Sequence, residues 1–162
     1  MEPQSFSVAL IAIALVAGTV AIHAFGSFFL LWSFVRICGR TFRLPTYTRL
    51  TAGLTSVVLA LLLLHLLEVA LWAVYYRQAG CFPQLRTSFY FSLVTYATVG
   101  YGDVVLNEQY RMLGGIEALA GVLMMSWSTA LLIGYVQRVY SQLLDRWGDK
   151  SRRPSDSHPD PL

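Results

Sequence analysis

The chain has 162 residues, 56% hydrophobic and 13% charged, with a formal net charge of +3 and a mean hydropathy of +0.54. Soluble domains average about 25% charged residues, so this chain cannot clothe a water-facing surface and is expected in a membrane. Eleven of its twelve basic residues are arginines, scattered between or beside apolar runs, which argues against nucleic acid as a partner.

The first apolar run, Phe6 to Val35, carries no charge when His23 is neutral. As a helix it is roughly 45 Å long, more than the ~30 Å hydrocarbon core, so it must tilt or project. Its acidic start, MEPQS, and its length do not fit a signal peptide, and it is expected to be retained. A voltage sensor needs arginines at regular spacing inside the membrane, and none precedes Arg36. Arg36, Arg40 and Arg43 share a face at the end of the run and suit lipid headgroups.

The second span runs from about Leu50 to Tyr76, interrupted by His65 and Glu68; the third runs from about Met112 to Val136, interrupted by Glu117. Arginines and the single lysine crowd the loop between spans one and two and the tail after span three, and are absent from the amino end. The positive-inside rule places the amino end outside, the carboxyl tail in the cytoplasm, and the 77–111 connection on the extracytoplasmic side. The chain divides into residues 1–49 (first helix and basic loop), 50–138 (central unit) and 139–162. That last stretch is rich in Pro, Ser and Asp, is expected to be unstructured, and is too short to fold as a cytoplasmic ligand domain. Cys38 and Cys81 fall on opposite sides of the membrane, so they do not pair; Cys81 either bridges two subunits or is a free thiol.

Within the second connection, LRTSFYFSLVTYA (Leu85–Ala97) has helical apolar spacing but spans only roughly 20 Å. It leads into TVGYGD, Thr98 to Asp103, and then the chain re-enters an apolar run. A short helix followed by glycine-rich backbone between two spans reads as a re-entrant loop. Non-helical backbone at membrane depth must be buried in protein or line an aqueous path.

TVGYGD resembles the selectivity-filter signature of potassium channels, and the likeness extends over Leu54 to Val136. The chain resembles small bacterial potassium channels of the two-transmembrane pore family, with an additional N-terminal transmembrane helix. The resemblance implies an all-α membrane fold: outer helix, pore helix, filter and inner helix, assembled as a homotetramer among membrane lipids of the plasma membrane. Carbonyls along Thr98, Val99, Gly100, Tyr101 and Gly102, with the Thr98 hydroxyl, would replace the water shell of K⁺. The two glycines open backbone angles closed to other residues. Val99 and Tyr101 would point away from the axis and pack on the pore helix, and Asp103 would ring the outer mouth with negative charge. No cofactor is implied beyond the permeant K⁺. Tyr90 and Phe91 stand where such channels often carry a tryptophan pair, so the brace on Asp103 is either absent or moved to Tyr90. Val94 stands where some relatives keep a buried glutamate.

In span three, Gly121 falls eighteen residues after Asp103, where the family often carries a hinge glycine. Met125, Thr129, Ile133 and Gln137 follow at i+4 spacing and are read as lining the cavity and gate; the alternative is ordinary helix packing. His65, Glu68 and Trp72 share a face of span two. By depth, Glu68 and Glu117 are expected to meet between outer and inner helices, and His23 is placed to approach His65. For His23, His65, Glu68 and Glu117 three readings stand: structural pairing, a proton-sensitive gate, or a metal site, which needs three or four converging ligands.

The expected function is passive K⁺ conduction through four TVGYG loops, with protons as a candidate stimulus. The rival is a non-conducting membrane sensor or assembly protein on the same scaffold. No nucleophile–base pair or phosphate-binding loop suggests an enzyme.

Overall fold

The computed structural model describes residues 3–38 and 46–152. The order is α1 (Pro3–Cys38), α2 (Thr46–Gln78), α3 (Leu85–Tyr96), a 3₁₀ turn (Glu108–Tyr110) and α4 (Arg111–Arg152), with no strand among the described residues. The fold is all-α. Three stretches are long and apolar enough to cross a membrane: Ser7–Ser33, Thr51–Gln78 and Glu108–Ser141. α3 is a fourth, short helix between the last two.

Apolar burial alone cannot decide how such helices face one another, because lipid is as apolar as leucine. The polar, small and aromatic residues decide it. On α1 the buried stripe is Ala12, Leu15, Thr19, His23 and Ser27, at steps of three and four; Ile13, Phe25 and Phe28 stay exposed. On α2 it is Leu61, Leu64, Glu68, Trp72 and Tyr76, and on α4 Leu113, Glu117, Ala120, Met124 and Ser128. α1 packs on α2 and α4, while α3 wedges between α2 and α4. At the carboxyl end of α2 an aromatic group fixes α3 to it: Phe91 lies 5.3 Å from Tyr76 and 5.2 Å from Phe82, ring centre to ring centre.

One expectation changes here. α4 runs to Arg152, so residues 139–152, expected as unstructured tail, are helical. No proline interrupts the sequence from Arg111 until Pro154, and adding residues to an existing helix is far easier than starting one. Residues 153–162, Arg40 and Arg43 lie outside the described residues. Arg36 sits over the Trp32 ring, 4.4 Å from its centre, a cation–π contact at the end of α1. Cys81, just beyond α2, is half-buried and makes no disulfide within the single chain, and burial pushes its thiol up from its ordinary pKa.

Candidate pore loop and buried polar seam

The loop hangs from the carboxyl end of α3 by its own backbone. Ala97 N–H donates to the Leu93 carbonyl (3.1 Å) and Thr98 N–H to Thr95 (2.9 Å). Val99 and Gly100 N–H both donate to the Val94 carbonyl, at 2.9 and 3.3 Å. Beyond this anchor the backbone alternates in hand: φ is +59° at Thr98, +54° at Gly100 and +78° at Gly102, with Val99 and Tyr101 between them outside that region. Glycine takes the left-handed region freely. A β-branched threonine there costs about 1–2 kcal/mol. The loop therefore holds Thr98 in a conformation that it would not choose alone, a mark of functional backbone.

Val99 and Tyr101 are 51% and 72% exposed in the single chain, and Tyr101 shares a cleft with Tyr90, Phe91, Val94 and Thr95 of α3. Asp103 is braced: the Tyr90 hydroxyl donates to its Oδ2 at 2.7 Å, and this bond raises the Tyr90 phenol above its ordinary pKa. Phe91 is buried in the aromatic group instead. The brace has moved to Tyr90. A cleft of about 180 Å³ lies behind the loop, with Val94 as part of its apolar wall.

On α4, Gly121 stands where the helix crosses the end of α3: a Cβ there would overlap the Tyr96 carbonyl oxygen. The helix runs unbroken through this point. Thr129, Ile133 and Gln137 are exposed in the single chain, whereas Met125 is half-buried against Val69, Tyr96 and Met124.

Between the helices runs a seam of polar groups. The Trp72 indole N–H donates to Thr19 Oγ1 at 3.0 Å, and Thr19 donates to the Leu15 carbonyl. His23 Nδ1 lies 2.8 Å from Glu68 Oε1, and His65 Nδ1 lies 3.0 Å from Glu68 Oε2. The Tyr96 hydroxyl donates to the same Oε2. On the far side of the rings, Ser128 Oγ lies 3.0 Å from His65 Nε2 and 3.4 Å from His23 Nε2. His23, Glu68 and Tyr96 are essentially fully buried.

His23 thus approaches His65 as expected, but the two carboxyls do not pair. Glu117 is taken by Tyr76, whose hydroxyl donates at 2.8 Å, and by Ser92, which also reaches the Val69 carbonyl at 2.9 Å. Similar depth did not bring the carboxyls together because α3 inserts its own hydroxyls between α2 and α4. Tyr96, Ser92, Ser128 and Tyr76 were not singled out from sequence. A signal existed: Ser92 and Tyr96 are four apart on α3, and Ser128 continues the Glu117 stripe three turns along α4.

Residues 49–138, more than half of the chain, match the family described as ion channel. The chain belongs to the ion-channel family. Its membership is that of a channel and not of an enzyme. The chain is 31% identical over 117 residues to the potassium voltage-gated channel protein shk-1 of Caenorhabditis elegans, covering 67% of this chain and 20% of that protein. It is 31% identical over 62 residues to the potassium voltage-gated channel protein Shal of Drosophila melanogaster, covering 38% of this chain and 11% of the relative. Against the A-type voltage-gated potassium channel KCND3 of Homo sapiens the identity is 32% over 75 residues, 46% of this chain and 11% of the relative. The chain therefore spans a fifth or less of the length of these relatives. No solved structure matches it.

Proposed function

We propose that this chain is one subunit of a homotetrameric, K⁺-selective channel of the plasma membrane. Residues 50–138 form the pore unit, 1–49 an added helix and basic loop, and 139–162 the cytoplasmic end. The observation that carries the reading is the alternation of backbone hand at Thr98, Gly100 and Gly102, in a loop hung from a short helix between two spans. Alternating hand turns successive carbonyls toward one side, so one loop offers a ladder of oxygens but can face only one side of an ion. Four loops around an axis replace a full hydration shell. The exposed flanks of Val99 and Tyr101 would then be covered by neighbouring subunits. The carboxyl end of α3 aims the negative end of its dipole at the ion path, and four Asp103 carboxylates, each held by Tyr90, concentrate cations at the mouth. Thr129 and Ile133, exposed on α4, would line the cavity below, with Met125 at its edge. Permeant K⁺ is the only ligand this scheme requires. Purified protein should run as a tetramer and release K⁺ from liposomes; tetramers that pass no ion would favour the non-conducting alternative.

Orientation follows the arginines: amino end outside, carboxyl end in the cytoplasm. An impermeant thiol reagent added outside should label Ser5→Cys and spare Ser155→Cys, each in a Cys38→Ser/Cys81→Ser background. The reverse pattern would invert the channel and move the loop to the cytoplasmic side.

The gate is proposed to respond to protons at Glu117. Ser92 has one hydroxyl proton but two acceptors in reach, the Val69 carbonyl and Glu117 Oε1. The count closes when Glu117 is a neutral acid that donates to Ser92, leaving Ser92 to donate to Val69 and Tyr76 to donate to Oε2. Tyr76 faces it from α2 and Tyr96 lies near it on α3; Glu68 and His23 are bonded to each other. Ionising Glu117 would put an uncompensated charge between α4 and the pore helix, which separation of those helices relieves. Wild-type flux should change with pH, and Glu117→Gln, neutral at every pH, should flatten the profile. An unaltered profile in the variant would remove Glu117 from the gate.

A further inference from the structure

We infer that His23, His65 and Glu68, with Tyr96, form a binding site for a divalent cation of the Zn²⁺ class that fastens α1 to the pore. One nitrogen from each histidine and a Glu68 oxygen all lie within 4.8 Å of one another. Donor atoms around tetrahedral zinc, at 2.0–2.2 Å from the metal, are roughly 3.3–3.6 Å apart. His23 Nδ1 lies 2.8 Å from Glu68 Oε1 and His65 Nδ1 3.0 Å from Oε2, so a metal would require the carboxylate to turn one oxygen toward both nitrogens and the groups to spread to the ligand spacing. Tyr96 supplies a fourth donor: its hydroxyl is bonded to Glu68 and lies 3.5 Å from His65 Nδ1. These donors come from α1, α2 and the last residue of α3.

The hydrogen-bond count points the same way. Without a metal, both Nδ1 atoms must carry hydrogen to face the Glu68 carboxylate, which leaves both Nε2 atoms as bare acceptors. Ser128 is within reach of both but has a single proton to donate. One imidazole nitrogen is then unmet in a largely buried cluster, His23 being fully buried and His65 17% exposed, where that is costly. With a metal on both Nδ1 atoms, each imidazole carries its hydrogen on Nε2. Both then donate to Ser128 Oγ, which has two lone pairs. This is the outer support that metal-bound histidines ordinarily have.

The charge also closes. Zn²⁺ with two neutral histidines, one carboxylate and Tyr96 as phenolate sums to zero, as a site at membrane depth requires. Starting from neutral histidines, binding forms four metal–ligand bonds, shifts each imidazole proton from Nδ1 to Nε2, and releases the Tyr96 proton to solvent. A proton added to one imidazole would also balance the hydrogen-bond count, so metal content rather than pH is the decisive readout.

The test uses the full chain, stripped with a chelator in detergent, equilibrated with Zn²⁺ and freed of excess, with metal measured by mass spectrometry. One zinc per chain and a raised Tm are expected. Co²⁺ in its place should give the intense visible bands of a tetrahedral site. His65→Ala and Glu68→Gln should lose the metal and the Tm shift, whereas His158→Ala, in the tail, should keep both. Ser128→Ala should weaken binding by about 10- to 100-fold, the usual effect of losing outer support. If the stripped protein takes up no zinc, or if His65→Ala that still assembles like wild type binds as much as wild type, the site is overturned. Metal content is read without ion flux, so this result stands apart from the test of conduction.

Discussion

Replacing Gly102 with alanine is expected to abolish K⁺ flux while leaving the proposed tetramer assembled. Gly102 sits at φ +78°, and a Cβ built there meets no atom within 4 Å, so the substitution strains the backbone and not the packing. Alanine disfavours the left-handed region by about 1–2 kcal/mol. Gly102 and Gly100 are the places where the loop relieves itself of that penalty, Thr98 already carrying it once. The relaxed alanine backbone swings its carbonyl off the axis, and four chains make the same change in one ring. Losing about 3 kcal/mol of stabilisation along the ion path corresponds to roughly 100-fold in rate. Tyr101→Asp should act through charge and lost packing at the subunit boundary, with a similar loss of K⁺ preference. Size-exclusion profiles check assembly, and K⁺ release from liposomes checks function. If both variants conduct with K⁺ preference intact, the loop is not the filter.

The second large effect is expected at Gly121. Its Cβ would meet a backbone oxygen, that of Tyr96, and not the end of a flexible side chain, so α4 must move away from α3. Overpacking of this kind typically costs about 1–3 kcal/mol, and a rigid partner puts Gly121→Ala at the upper end. The shift would also disturb Tyr96, which holds Glu68 from the last position of α3. We expect Gly121→Ala to lower Tm by several degrees and to reduce flux. The hinge expectation makes a different forecast: unchanged Tm, with altered flux alone. Thermal melts in detergent separate the two, and an unchanged Tm would return Gly121 to the role of hinge.

Length and hydropathy were enough to find the three spans, because a run of apolar residues that long has no other solvent. The re-entrant helix was legible for the complementary reason, being too short to cross. The order of polar partners was less legible. His65 and Glu68 are three apart on one helix, so their pairing is local geometry, but the partner of Glu117 depends on how α3 is rotated between α2 and α4. Depth along a helix says nothing about that rotation. Tyr76 and Ser92 decided it, and a sequence pattern on α4 alone could not reveal them. Residues 139–152 misled in another way: the Pro-, Ser- and Asp-rich end of the chain reads as unstructured, yet 139–152 extend the helix that starts at Arg111. Val99 and Tyr101 were expected on the pore helix of a four-chain assembly, and the single chain leaves them exposed where neighbouring chains would cover them.

The central claim is K⁺ selectivity, and the reversal potential tests it most directly. Purified tetramer in a planar bilayer, with K⁺ on one side and Na⁺ on the other, should carry a current that reverses near the K⁺ equilibrium potential. A current that reverses near zero, or no current from protein verified as tetrameric across the accessible pH range, would contradict the account.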